Sequence, residues 1–287
     1  MSSLGSVAAI YRYPVKSMAG EKLTAAVIGP GGLLGDRQWA VRDVGTGNLV
    51  SAKRPRRWGK TLECRAWYED NGRVHIELPS GDRFDVEDPE AAEALSDLFS
   101  RQVAMEQFRE QGQGSYESDW PDIDGMLLAG REGVEFPTNV AGRHTEGFVD
   151  VFPIHVTTTS AMTTLKEADP SLQVDDRRFR PTIVIDTGEA DGFVENDWTD
   201  EAVAVGDVVL SVNRPTFRCM MAVTAQGDLP RQSGILKTLA RINGDHIDLR
   251  ITGDSGRGAH FGVWANVQHP GRVQVGDKAV LGISEPD

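Results

Sequence analysis

Short apolar runs of period two dominate the chain, rich in Val, Ile, Tyr and Trp and broken by Gly, Pro, Asn and Asp. The alternation predicts strands at Val7–Tyr13, Gln38–Arg42, Leu62–Tyr68, Arg73–Leu78, Thr182–Asp186, Val208–Val212, Met220–Thr224, His246–Ile251 and Val263–Val267. Turn signals stand between them: Pro30-Gly31-Gly32, Asn71-Gly72, the run PSGD from Pro79, and Asn243-Gly244. Asn-Gly suits the positive φ angles of a tight hairpin. Two segments, VGDVVLSV from Val205 and VGDKAVLGI from Val275, each read as a turn feeding a strand. Helical spacing occurs in three places. In the run that starts at Glu87, Asp88 serves as N-cap, Pro89 takes the first helical position, and Ala92, Leu95 and Phe99 form the apolar face. A second helix covers Ser160–Ala168, and a third aligns Ile235, Leu239 and Ile242. Such helices cover barrels; they do not build a bundle.

The chain therefore reads as mainly β, and its 287 residues suffice for two domains. The polar stretch Glu110–Gly125, depleted in aliphatic residues, marks the boundary and gives domains at residues 1–120 and 121–287. No apolar run approaches the roughly 18 residues of a membrane span. The N-terminus lacks the basic and apolar regions of a secretory signal, so the expected compartment is the cytoplasm.

Charge and sulfur narrow the chemistry. A net charge of −13 disfavours nucleic acid and anionic lipid as general partners. Two cysteines, Cys64 and Cys219, cannot build a disulfide framework, a four-cysteine zinc site or an iron–sulfur cluster. Six scattered histidines show no metal-ligand spacing, and no GxSxG elbow, Walker loop or GxGxxG unit is present. Against the acidic background, Ala52–Lys60 carries five positive charges. It reads either as a solvated loop or strand edge, or as an anion pocket or a docking patch for an acidic partner. Lys16 and Ser17 follow Pro14 at a chain bend, where an ammonium and a hydroxyl suit a phosphate. Arg37 follows a Gly-rich turn, and Arg177, Arg178 and Arg180 crowd before an apolar strand. Cys219 stands directly after Arg218, and neighbouring guanidiniums favour a thiolate able to bind a soft metal or attack an electrophile. Cys64 sits in an apolar run and reads as a small core residue. The Gly-rich Thr252–Gly262 reads as a loop near a ligand.

YPVKS, GDRQWAV, RRFRPTIVID, FVENDW, VGDVVLSV, Arg218-Cys219, FGVWANV and PGRVQVGD, in that order, resemble the MOSC proteins that carry an N-terminal MOSC β-barrel domain. The family includes the mitochondrial amidoxime reducing component and bacterial reductases of N-hydroxylated compounds. The resemblance implies a pterin-based molybdenum cofactor between two β domains, with Cys219 as the metal's protein ligand. It implies that Lys16, Ser17, Arg37, Thr158, Ser160, Arg180, Thr182 and Arg218 hold the cofactor. Thr182 stands where relatives have asparagine, and the run after Cys219, with Gln226, Asp228 and Leu229, departs from the family pattern and is expected to shape the substrate pocket. The function so implied is a two-electron reduction of an N-oxygenated small molecule. A separate ferredoxin, flavodoxin or reductase would supply the electrons. The competing expectation is a persulfide carrier or a cofactor-transfer protein without turnover.

Overall fold

The structure is a computed structural model that describes residues 2–110, 112–123, 128–138, 145–244 and 258–282. It is mostly β. Seven strands close a barrel: β1 (Ser2–Arg12), β12 (Ile154–Thr158), β13 (Ile183–Asp186), β14 (Ala202–Val205), β15 (Val208–Phe217), β16 (His260–His269) and β18 (Lys278–Leu281). Their order around the ring is β13-β12-β16-β15-β14-β18-β1, and β1 returns to β13 to close it. Only β12 and β13 run parallel; α3 (Thr159–Ala168) lies in the crossover between them. Val7, Ile10, Ile154, Ile183, Val203, Leu210 and Val263 fill the interior.

Two further groups of strands complete the chain. β2 (Glu21–Leu23) extends β1, and β17 (Gly271–Gln274) pairs with β3 (Ala25–Gly29), which pairs with β4 (Gly32–Leu33). In the other group, β5 (Trp39–Asp43) pairs with β9 (Val103–Gln107), β6 (Arg65–Tyr68), β7 (Val74–Glu77) and β8 (Arg83–Asp85) form a meander, and β10 (Ser115–Ser118) pairs with β11 (Val134–Pro137). Helix α2 (Pro89–Phe99) covers this second core. Short helices α1 (Pro55–Trp58) and α4 (Asp176–Phe179) and the longer α5 (Gly234–Ile242) complete the described elements. The division in space does not follow the division in sequence. Strands β1 to β4 come from the first 33 residues yet pair with one another and with strands beyond residue 180.

The helices lie where their spacing predicts them, with one shift of register: Ala91, Leu95 and Phe99 are the buried face of α2, and Ala92 is only partly covered. Two strand expectations are corrected. Gly59–Glu63 is a 3-10 turn, so the strand expected from Leu62 begins at Arg65. Met220–Val223 is also a 3-10 turn. The ladder of β15 on β16 ends at Phe217 opposite His260, and a segment without a strand partner satisfies its backbone locally while burying Met221, Ala222 and Val223. The strand expected at His246–Ile251 lies outside the described residues. No helix among the described residues is long and apolar enough to cross a membrane.

Candidate functional site

Strand β1 leaves the barrel at Arg12, and the next residues run against the N-terminal sheet. Lys16 donates its backbone N–H to Trp39, and Trp39 donates to Pro14 (2.8 and 3.0 Å). This weave buries Lys16, Ser17 and Tyr13 between the two cores. Tyr13 N–H donates to the Asp36 carboxylate (2.7 Å), and Arg37 N–H donates to the Tyr13 carbonyl (2.7 Å). The Tyr13 ring carries the Arg37 guanidinium at 5.2 Å and that of Arg180 at 4.0 Å from its centroid. Arg180 reaches it from the end of α4, and its Nη1 donates to the Met18 carbonyl (2.6 Å).

Ser17, Arg37 and Arg180 share a second property. They are three of the six non-glycine residues with positive φ (68°, 51° and 53°) among those described. Left-handed backbone at a non-glycine residue costs about 1–3 kcal/mol and persists where surrounding contacts over-determine it. Here those contacts hold three polar side chains toward one place.

The second half of the chain brings Asp150. At Gly147 φ is 129°, and a Cβ there would stand 2.6 Å from the Asp36 carbonyl, so only glycine lets this segment lie along Asp36-Arg37. Phe148 then donates its N–H to Arg37 and accepts from Lys16 Nζ (3.0 Å). Asp150 forms ion pairs with both Lys16 and Lys53, the latter at 2.8 Å. Burial opposes the charge of Asp150, but the two ammoniums outweigh it and hold the carboxyl below the usual carboxylate range. Lys16, fully enclosed, is pulled down to about 8 by that burial despite Asp150. Tyr116 lies under both lysines, and Lys53 donates to its hydroxyl (3.0 Å).

Cys219 stands at the end of β15, half-buried, packed against Ala52, Leu62 and Met221. Arg218 turns inward: its Nη2 donates to the Phe179 carbonyl (2.7 Å), and burial lowers its guanidinium to about 10, as it does that of Arg180. Arg178, completely buried with no carboxylate, donates to the carbonyls of Gln173, Ala222 and Pro230 and so fixes the turn that follows Cys219. Arg177 faces outward to Asp175 and Asp228. Three arginines in one run of four residues thus serve an outer latch, a loop anchor and the site.

The remaining expected residues are placed differently. Thr158 caps α3 by accepting from Ala161 N–H (3.1 Å), contacts Ser160, and donates to the buried Glu195 (2.7 Å). Thr158 and Ser160 are therefore committed to the helix cap. The neighbouring Thr157 has a buried hydroxyl with no hydrogen-bond partner among the described residues. The Thr182 hydroxyl accepts from the His155 backbone N–H (3.2 Å) and so serves the barrel wall. Gln226 donates to the Met221 carbonyl (3.0 Å) and Asp228 holds Arg177, so both steady their own loop. In the basic run, Lys53, Arg54, Arg56 and Arg57 are each paired with a carboxylate of the chain, and the exposed Lys60 donates to the Leu98 carbonyl (3.2 Å). Cys64 is buried, and that burial pushes its thiol up to about 12. Sequence reasoning missed Tyr13, Tyr116 and Asp150, and reached Lys53 only as one charge of the basic run. YxYP offered Tyr13, whereas Tyr116 and Asp150 lie in segments with no distinctive pattern.

Glu195 permits a test of local electrostatics. Its carboxyl is pushed up to about 7, chiefly by burial. A folded-state value above the ordinary 4.5 means stability is fully present below pH 4.5 and falls as pH rises through 7. Glu195→Gln is expected to match wild type at pH 5 and to melt several degrees higher at pH 8, a gain of roughly 3 kcal/mol at most. Melting curves of the two proteins that stay parallel from pH 5 to pH 8 would refute this.

The cluster suits an anion. Arg37, Arg180, Arg218, Lys16 and Lys53 face only Asp36 and Asp150 as acidic partners within it. Among the described residues, Arg180 Nη2 and Arg218 Nε of this cluster are buried without hydrogen-bond partners. Open guanidinium donors of this kind suit an anionic ligand. A half-buried thiol beside them adds a soft donor for a metal such as molybdenum. Among the described residues no group of three His, Cys, Asp or Glu side chains could hold a metal ion.

Residues 4–119 match the MOSC N-terminal beta barrel domain, and residues 143–280 match the MOSC domain. No curated protein matches the chain. Among solved structures, the YuaD protein from Bacillus subtilis is similar at 10% identity over 98% of this chain and 97% of its own, with a TM-score of 0.40. YiiM from Geobacillus stearothermophilus is similar at 14% identity over 46% of this chain and 55% of its own, with a TM-score of 0.31.

Proposed function

Because the chain belongs to the MOSC-domain proteins that carry an N-terminal MOSC β-barrel domain, we propose that it is a molybdenum-cofactor enzyme that reduces N-oxygenated small molecules by two electrons, with Cys219 as the protein ligand to the metal. The observation that carries this reading is the gathering of cations from separate segments about Tyr13 and Tyr116, with the half-buried thiol of Cys219 directly after Arg218 and packed on Ala52 beside Lys53. The cofactor, when bound, supplies the redox chemistry. The chain supplies position and charge. Arg37, Arg180 and Arg218 would hold its anionic part against Tyr13, and Lys16 and Ser17 would close the site from the N-terminal side. Thr157 offers a further donor, in place of Thr158 and Ser160. Arg178 keeps Cys219 in register with Arg180 by tying the following turn to α4. Burial keeps water from screening these contacts, which strengthens each of them.

In this reading a separate electron-transfer protein supplies the electrons. Purified from a molybdenum-replete host, the protein is expected to contain stoichiometric molybdenum and pterin. With a chemical reductant it is expected to convert N-hydroxylated bases to their reduced forms. Metal-free protein carrying a cyanolysable persulfide at Cys219 would replace this reading with that of a sulfur carrier.

A further inference from the structure

The site has two sides. On one, three guanidiniums gather about Tyr13 with Asp36 as their neighbouring carboxylate. On the other, the Tyr116 ring carries the ammoniums of Lys16 and Lys53 at 4.8 and 4.5 Å from its centroid, and Asp150 bridges the two. Cys219 adjoins both: it follows Arg218 in the chain and packs on Ala52, the residue before Lys53.

The two sides offer different chemistry. The Tyr13 side has excess positive charge and open guanidinium donors, which suit an anion. On the Tyr116 side, Lys16 and Lys53 share one carboxylate, Asp150, so the excess charge is smaller and the Tyr116 hydroxyl adds directional hydrogen bonding. The Tyr116 hydroxyl accepts from Lys53 (3.0 Å), and among the described residues no acceptor takes its own proton. A neutral N–O oxygen is recognised by such donors; net charge is not required.

We propose that Lys53 and Tyr116 recognise the substrate's departing oxygen, an assignment that rests on the reading of Cys219 as metal ligand. In the reduction, the N–O bond breaks and two electrons arrive from the external electron-transfer protein. One proton goes to nitrogen and one to oxygen, which leaves as water. The oxygen's proton comes from the Tyr116 hydroxyl. Lys53 restores that proton, and solvent restores Lys53. Asp150 touches neither substrate nor metal and is a positioning residue that holds the Lys53 ammonium over the ring.

The test compares wild type with Tyr116→Phe, Lys53→Met and Lys53→Arg, each purified with its cofactor. Molybdenum and pterin content are measured first, then calorimetric binding of benzamidoxime and of its oxygen-free product benzamidine, then KM and kcat. Tyr116→Phe deletes only a hydroxyl and is expected to keep full molybdenum, weaken benzamidoxime about tenfold and leave benzamidine unchanged. Lys53→Met is expected to lose roughly 10- to 100-fold toward benzamidoxime, with Lys53→Arg recovering part of it. Equal weakening of both ligands, or loss of molybdenum from Tyr116→Phe, overturns the assignment. Wild type that holds no molybdenum overturns the reading beneath it, and the assignment with it.

Discussion

Replacing Cys219 with Ala is expected to give a folded protein that retains no molybdenum. Turnover of N-hydroxylated substrates is expected to fall by far more than the roughly 100-fold typical of losing an outer-shell partner. The side chain packs on only a small group, Ala52, Leu62 and Met221, and it is half-buried, so its truncation costs about 1 kcal/mol in stability. Cys219→Ser keeps the size and adds a hydroxyl, but oxygen is a hard donor and is expected to leave the metal unbound as well. Cys64→Ala supplies the contrast. That thiol is wholly enclosed in the N-terminal core, so its loss is expected to lower the melting temperature while molybdenum content per folded chain stays unchanged. Metal analysis of the three variants decides the matter. Wild-type molybdenum in Cys219→Ala would remove the thiol from the metal's coordination sphere.

Asp150→Asn is expected to be the most destabilising single change at the site. One carboxylate neutralises two ammoniums, Lys16 and Lys53, both held inside the protein. Removing one partner of a buried pair costs about 3–5 kcal/mol because the other charge remains uncompensated. Asp150 retains 26% side-chain exposure, so screening places the loss toward the lower end, about 2–3 kcal/mol. The melting temperature should fall by about 4–10 °C at neutral pH. The pH dependence has a definite sign. A carboxyl depressed in the folded state contributes stability above its unfolded value near 3.8, and the contribution is lost as pH falls through the lower folded value. The gap between variant and wild type should therefore stay open at neutral pH and close only in strong acid. A gap that closes by pH 6 would show that the carboxylate is not what the lysines require.

The parts of this protein that were legible in its sequence are those where one local pattern has one physical solution. Asp88-Pro89 with leucine and phenylalanine at helical spacing gave α2, and apolar alternation gave β13, the second half of β1 and half of β16. Met220–Val223 shows where such reading stops. Its apolar run carries strand propensity, but the neighbouring strand has ended and tertiary context decides. Site residues divide in the same way. Lys16, Ser17, Arg37, Arg180 and Arg218 stand in compact motifs, and the fold brings them within reach of one another. Thr158 and Thr157 differ by one position, and alternation along β12 sends one hydroxyl to the α3 cap and leaves the other open. Asp150 carries no signal in its own segment, because its role arises only when Gly147 lets the chain lie against Arg37.

Barrel closure bears on the order in which the chain can assemble. β1 is the stave between β13 and β18, yet it is synthesised before either, and β18 follows some 270 residues behind it. The apolar side chains of β1 must therefore wait through almost the entire period of translation before both flanking strands exist. Pairing at such separation is slow, and unpaired edges invite association with other chains. A ribosome-bound chain halted anywhere before Lys278 holds an open sheet, so the N-terminal core around α2 is the part that can fold while synthesis continues. The cation cluster, whose members run from Lys16 to Arg218, is complete in sequence before β16 and β18 are made.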